Sequence, residues 1–179
     1  MGAQHNQDTA TSRLRLLYEN YREHPRTTPT GPRARSTVPG TPLNLATVDH
    51  IAASVKEVAD YTREAAPDAE PLPEAVLDVY RWCVENTAHA PDVVQQRRDA
   101  IVYRQQLEHA ITMGDVDVIR PHRCPGCDTY SLFWQAARER ALCTNRRCTA
   151  RDGSSRTWTL AKLAYEHVTA QKSVRVRAT

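Results

Sequence analysis

Four cysteines near the C-terminus are the residues best able to do chemistry. Cys124 and Cys127 flank Pro125-Gly126, and fifteen residues later Cys143 and Cys148 enclose Thr144-Asn145-Arg146-Arg147. Two close pairs of thiolates separated by a hairpin-length insert suit one tetrahedral metal ion. Each short loop brings two sulfurs toward a common point, and the intervening strands return the chain to it. Zinc takes thiolates at about 2.3 Å, and four of them close its coordination sphere, leaving no position for a reactive water. The expected cofactor is therefore one structural Zn²⁺ on Cys124, Cys127, Cys143 and Cys148. Iron in a rubredoxin-like site stays open, because spacing hardly separates the two metals. A thioredoxin-like redox pair would need Cys-x-x-Cys at a helix start within a βαβ unit. Here Cys124 follows an expected strand in a β-rich region. Two disulfides would need an oxidising compartment. His122 and His167 are not needed as ligands when four thiolates are present. The fifth cysteine, Cys83, sits between Trp82 and Val84 and reads as a small core residue.

Around these loops lie Arg120, Arg123, Arg138, Arg140, Arg146, Arg147, Arg151 and Arg156, interleaved with Tyr130, Phe133, Trp134 and Trp158. Guanidinium groups fork onto phosphates and aromatic rings stack on bases. Arg123, Arg138, Arg140, Arg146, Arg147, Arg151, Arg156 and Trp134 are thus candidate nucleic-acid contacts. The competing reading makes Trp134 and Trp158 the plug of a small sheet and the arginines a solvated face. Residues 118–179 carry a net charge of +8 and residues 1–117 a net of −5. That asymmetry suggests an anionic partner for the C-terminal part, or mutual attraction of the two parts. The 21 arginines against 3 lysines also match a GC-rich codon bias, which weakens the arginine signal.

No catalytic constellation stands beside the cysteines. The chain lacks a glycine-rich phosphate loop, His-Glu-x-x-His and Gly-x-Ser-x-Gly. Asp49-His50 reads as a surface feature near a helix start. Expectation falls on a protein that is not an enzyme and takes no small-molecule substrate. No run of eighteen apolar residues predicts a membrane span. The polar N-terminus has no signal-peptide core, so the expected location is the cytoplasm of a bacterial cell, or a virion for a phage structural component.

The elements that must position the cysteines follow from periodicity. Residues 1–23 read as a disordered tail of ten residues and a short helix over 11–23, with Leu14, Leu17, Tyr18 and Tyr21 on one stripe. Residues 24–43 hold five prolines and read as a strap or linker. Residues 44–114 read as a small helical bundle. Its helices are expected over 47–65, from Pro73, and from Pro91 or Asp92 to about Met113, where Gly114 stops the last. The last two helices also resemble a helix-turn-helix, but with a loose turn over 86–91. Residues 115–170 read as the metal-binding ribbon with a terminal helix, with strands expected over 116–119, 130–134, 141–142 and 156–159. Thr159 caps the terminal helix, and 171–179 form a basic tail. The predicted fold class is α+β: a small N-terminal helical bundle followed by a four-cysteine zinc ribbon with rubredoxin-like knuckles and a short C-terminal helix.

Cys124-Pro125-Gly126-Cys127 resembles the knuckle of the zinc-ribbon superfamily. That family often places glycine after the second cysteine, where this chain has Asp128, and the second loop holds four residues with Asn145 suited to a left-handed turn. Several stretches together resemble a group of small zinc-ribbon proteins of actinobacteria and their bacteriophages. They are Val38-Pro39-Gly40-Thr41-Pro42-Leu43-Asn44-Leu45, Val48-Asp49-His50, Arg123-Cys124-Pro125-Gly126-Cys127, Ser131-Leu132, Cys143-Thr144-Asn145-Arg146-Arg147-Cys148 and Trp158-Thr159-Leu160. The resemblance implies the four metal ligands and a bacterial or phage origin, and no activity. The expected function is that of a non-enzymatic binding protein, nucleic-acid-associated or regulatory, with the helices mediating oligomerisation. The alternative is a protein adaptor or phage structural part that docks through the ribbon.

Overall fold

The computed structural model describes residues 2–23 and 42–177, with side chains over 8–19 and 47–174. The strap expected over 24–43 lies outside the described residues except for Pro42 and Leu43. Those two are helical.

Helix α1 (Gly2–Glu23) starts well before the expected residue 11. Ala10 is fully buried one turn ahead of Leu14, which with Leu17 is also fully buried, so the apolar stripe extends backwards through a residue too small to announce it. Arg13 on this helix donates to the Gln106 carbonyl at 3.0 Å. Helix α2 (Pro42–Ala65) begins five residues ahead of Thr47. Proline suits the first turn, where its missing N–H is an orphan in any case. Ile51, Val58, Ala59 and Tyr61 form its inner face.

Helix α3 (Val79–Asn86) starts later than Pro73, after a 3-10 turn at Val76–Asp78. The connector ahead of it is pinned at its acidic end. Trp82 Nε1 donates to the Glu70 carbonyl at 3.0 Å, and Glu70 N–H donates to Asn86 Oδ1 at 2.9 Å. Cys83 is buried as expected of a core residue, and burial pushes its thiol pKa up. Helix α4 (Asp92–Thr112) packs against α1, α2, α3 and α5. It ends at Gly114, whose φ of +89° favours glycine.

The strand expected over 116–119 is a 3-10 turn, Val116–Ile119. It lies against Leu132–Gln135, the first strand of the sheet, but makes no ladder with it. Only Ile119 is buried, anchoring the turn under the sheet. Strands β1 (Leu132–Gln135), β2 (Arg140–Cys143) and β3 (Thr157–Trp158) form an antiparallel sheet in that order. Leu132 faces Cys143, while Trp134, Ala141 and Trp158 lie across from one another. The hairpin turns through Ala136–Arg138 and through Glu139 at φ +49°. Helix α5 (Leu160–Arg177) runs on through the expected basic tail as far as residue 177. Thr159 Oγ1 caps it by accepting the Lys162 N–H at 3.2 Å.

The described residues are thus α+β, with five α-helices and one three-stranded sheet. Two cores support them. One joins α1, α2, α3 and α4 through Leu14, Leu17, Val58, Tyr80 and Val102. The other gathers Leu132, Trp134, Ala141, Leu160, Leu163 and Val168 around three of the metal-type cysteines, with Tyr103 and Leu107 of α4 closing its floor. The sheet therefore does not bury a core alone; it borrows one face of α4. No helix among the described residues is long and apolar enough to cross a membrane.

Candidate metal centre

Each cysteine is held by a different local device. Cys124 N–H donates to the Thr129 carbonyl at 2.9 Å, and Asp128 N–H donates back to the Cys124 carbonyl at 2.8 Å, closing the first loop. Inside it, Gly126 N–H points at Cys124 Sγ at 3.4 Å. A Cβ on Gly126 would lie 3.1 Å from both Trp158 Cζ2 and Arg156 Nη1, so the knuckle has room for glycine only without adjustment. Asp128 has φ +55°. It holds a left-handed conformation that favours glycine, and its carboxylate receives Arg123 at 2.7 Å. Aspartate is among the few residues that tolerate this region. Asn145, expected in a left-handed turn, is not: Asp128 and Glu139 are the non-glycine residues with positive φ among those described. Asn145 Oδ1 instead accepts the Arg147 N–H at 3.0 Å, and its carbonyl accepts the Cys148 N–H at 2.8 Å, which shapes the second loop. Cys143 arrives at the end of β2, aligned by its register with Leu132.

The four sulfurs all lie within 4.8 Å of one another. Cys124 and Cys148 sulfurs are 3.7 Å apart, and those of Cys127 and Cys143 are 3.8 Å apart. A regular tetrahedron of thiolates about 2.3 Å from a central ion has edges of about 3.8 Å. A disulfide would bring two sulfurs to about 2.05 Å, and all five cysteines are free. The donor set therefore fits a metal ion and can hold one.

Hydroxyls that the cysteine spacing does not reveal complete the surroundings. Thr129 Oγ1 lies 3.1 Å from Cys127 Sγ, Ser131 Oγ lies 3.1 Å from Cys143 Sγ, and the two hydroxyls are 2.8 Å apart. The Thr129 contact holds the Cys127 thiol down to about 6, whereas burial pushes Cys148 up to about 12 and also raises Cys143. A bound cation would favour the thiolate at all four. Cys124, Cys143 and Cys148 are buried, and Cys127 is half-buried. His122 is buried but engaged elsewhere: its Nδ1–H donates to the Ile119 carbonyl at 3.1 Å and its Nε2 accepts from Tyr103 at 2.7 Å. Burial lowers its pKa. His167 stacks on Tyr103 with ring centroids 4.1 Å apart, and burial lowers its pKa to about 4.

The candidate nucleic-acid residues divide. Trp134 is 7% exposed on the inner face of the sheet, so it cannot stack on a base. Alternation along β1 turns Phe133 outward instead, at 49% exposure, and Tyr130 is 66% exposed beside the first knuckle. The arginines 138, 140, 146, 147, 151 and 156 are all exposed. Ion pairs in this part of the chain are Arg120–Asp117, Arg123–Asp128 and Lys162–Glu166. Arg123 is thereby engaged, also lying over the Tyr130 ring at 4.9 Å, and Arg156 donates to the Thr149 carbonyl at 2.8 Å. Arg138, Arg140, Arg146, Arg147 and Arg151 face no carboxylate among the described residues.

His50 is not the surface feature expected. Its Nε2 lies 2.8 Å from His109 Nδ1, at the end of a buried polar chain through α2, α3 and α4. The helical pattern could not reveal this, because the partners come from three different elements. No protein-family model, curated protein or solved structure matches the chain.

Proposed function

We propose that this chain is a non-enzymatic zinc-ribbon protein that binds nucleic acid through the outer side of its C-terminal sheet. The observation that supports this reading is the set of five exposed arginines without carboxylate partners among the described residues, 138, 140, 146, 147 and 151, in the same part of the chain as the outward rings of Phe133 and Tyr130. Unpaired guanidinium groups lose least on meeting phosphates, and an outward ring gives an unstacked base a platform. The sulfur tetrahedron would hold zinc as a structural ion that fixes the two loops bearing Arg146, Arg147 and Tyr130. Elemental analysis of protein prepared under reducing conditions tests the metal. One zinc per chain is expected; one iron, with its strong visible absorption, would replace zinc in this reading.

Fluorescence anisotropy with short single-stranded and duplex oligonucleotides tests the binding. If four of the arginines each neutralise a phosphate of a single strand, log K falls against log salt with a slope of about −3. Replacing Arg146 and Arg147 together by alanine should flatten the slope by about 1.4. Phe133→Ala should weaken single-strand binding by about 1–3 kcal/mol without changing the slope. No DNA or RNA binding at low salt removes this reading. The second reading, a protein adaptor or phage structural part, draws on the same surface: Phe133 stands beside the half-buried Leu142 across the hairpin, a small apolar patch suited to a protein partner.

A further inference from the structure

A cavity of about 610 Å³ lies where the bundle meets the sheet, lined among others by His50, Arg104, Glu108, Trp134, Glu139 and Thr159. One wall is chemically defined by a chain of hydrogen bonds leading back into the bundle. The fully buried Gln105 donates its amide N–H groups to the Ser54 carbonyl at 3.1 Å and to Glu57 Oε2 at 2.8 Å. Both partners accept, so the amide orientation is fixed and Gln105 Oε1 faces the Tyr80 hydroxyl at 2.8 Å. Tyr80 therefore donates to Gln105; otherwise a buried carbonyl would lack a donor. The phenol has one proton, and burial raises its pKa, so its oxygen is left to accept from His109 Nε2 at 2.7 Å. His109 is neutral, since burial lowers its pKa to about 3. With its proton on Nε2, its Nδ1 accepts from His50 Nε2–H. Burial and then Arg104 disfavour the charged form of His50 too. The ring's remaining nitrogen, Nδ1, is thus a lone pair with no partner among the described residues, on a side chain that lines the cavity.

This chain is not a proton wire. It ends in a non-ionisable amide, so a proton taken at His50 could travel no further than His109. It fixes a tautomer. Two carboxylates of the lining, Glu108 and Glu139, stand against one guanidinium, Arg104, which pairs with Glu108 and also with Glu57 beyond the lining. Burial raises the pKa of Glu108 despite Arg104, and Glu57 and Glu139 contribute in the same direction. Glu139 has no cationic partner among the described residues, so its charge is the one left to be balanced. Trp134 supplies an aromatic wall.

We propose that this cavity binds a small organic cation bearing N–H donors, an amine or guanidinium compound, with His50 Nδ1 accepting one N–H and the unpaired carboxylate of Glu139 balancing its charge. Tyr80 and His109 are positioning residues that act through the His50 tautomer.

Calorimetric titration of the full chain with agmatine, and with tetramethylammonium as a cation lacking N–H groups, tests the proposal. ¹⁵N NMR of the histidine rings is followed in the same samples. Saturable agmatine binding is expected, at least about tenfold tighter than tetramethylammonium. The free protein should show His50 as the Nε2–H tautomer, with the bare Nδ1 resonance moving on agmatine addition. Glu139→Gln, an exposed change at the hairpin, should weaken agmatine about tenfold and leave the fold intact. Tyr80→Phe should mix the His50 tautomers and weaken agmatine while the cysteine site still takes up metal. Failure of agmatine to saturate at millimolar concentration, equal binding of both cations, an unchanged Glu139→Gln affinity, or a proton found on His50 Nδ1 would each overturn the proposal.

Discussion

The Tyr103 hydroxyl on α4 donates to His122 Nε2 at 2.7 Å, two residues ahead of Cys124. This bond, with His167 stacked on the same phenol ring, ties the helical bundle to the start of the first cysteine loop. The sheet and its loops are therefore coupled to α4 by a polar contact as well as by the Leu107 floor.

Tyr103→Phe should lower stability by about 1–3 kcal/mol. The His122 ring has its Nδ1–H committed to Ile119, so Nε2 would be left buried without a donor. Tyr130→Phe, at an exposed ring, serves as the control and should change stability by less than about 0.5 kcal/mol. Urea unfolding of the three proteins, metal-loaded, gives the comparison.

Chelation should loosen the sheet and leave most of the helix signal. The described core around the sulfurs contains three of the four cysteines, whereas the bundle core contains none of the four. Structural zinc contributes on the order of 10 kcal/mol in small finger peptides. The chain's three tryptophans report separately: Trp134 and Trp158 lie in the sheet and Trp82 lies in α3. Fluorescence of Trp82-only and Trp134-only variants should shift red on chelation for the second and stay unchanged for the first. A Trp134 spectrum indifferent to chelation would show that the sheet holds itself together.

Stability should fall on acidification from pH 6.5. His109 has a folded pKa near 3 against its ordinary 6.5, so between those values the unfolded chain binds a proton that the folded chain refuses. Stability therefore rises with pH across that window. At pH 5 the penalty from His109 alone is about 2 kcal/mol. His167, depressed to about 4 and half-buried, acts in the same direction. Denaturant midpoints from pH 7 to 5 should decline, and less steeply in His109→Gln, whatever its starting stability.

Asp128→Val should cost about 1–2 kcal/mol, because a β-branched residue at φ +55° crowds its own backbone. Asp128→Gly should stay within about 0.5 kcal/mol of the parent. Relief of the backbone offsets the added freedom of the unfolded chain, and the Arg123 pair it removes is solvent-exposed. Thermal unfolding of both variants in the metal-loaded state distinguishes them.

Much of the cysteine site could be read without coordinates. Ligand types and short spacings are local properties, and the strands that bring the two loops together are short enough for their alternation to show. The same locality explains the misses. Val116–Ile119 has strand-forming residues, but a strand exists only with a hydrogen-bonded partner, and β1, which lies against this turn, pairs with β2 instead. The early starts of α1 and α2 rest on Ala10 and on a proline at a helix entrance, signals weaker than the polar composition around them. Residue type leaves Trp134 open to both a plug and a stacking platform; register places it opposite Ala141 on the inner face and turns Phe133 outward.

By itself, the sequence determined that four thiolates would meet in a β-rich C-terminal segment preceded by helices, since chain spacing alone limits where those sulfurs can go. Tertiary structure decided everything that depends on residues distant in the chain. It set the floor that α4 lends to the sheet, the choice of outward ring, and the line from Gln105 through Tyr80 and His109 to His50. A hydrogen-bond partner 25 to 59 residues away leaves no local pattern, because only the packing of separate helices brings the two groups within reach.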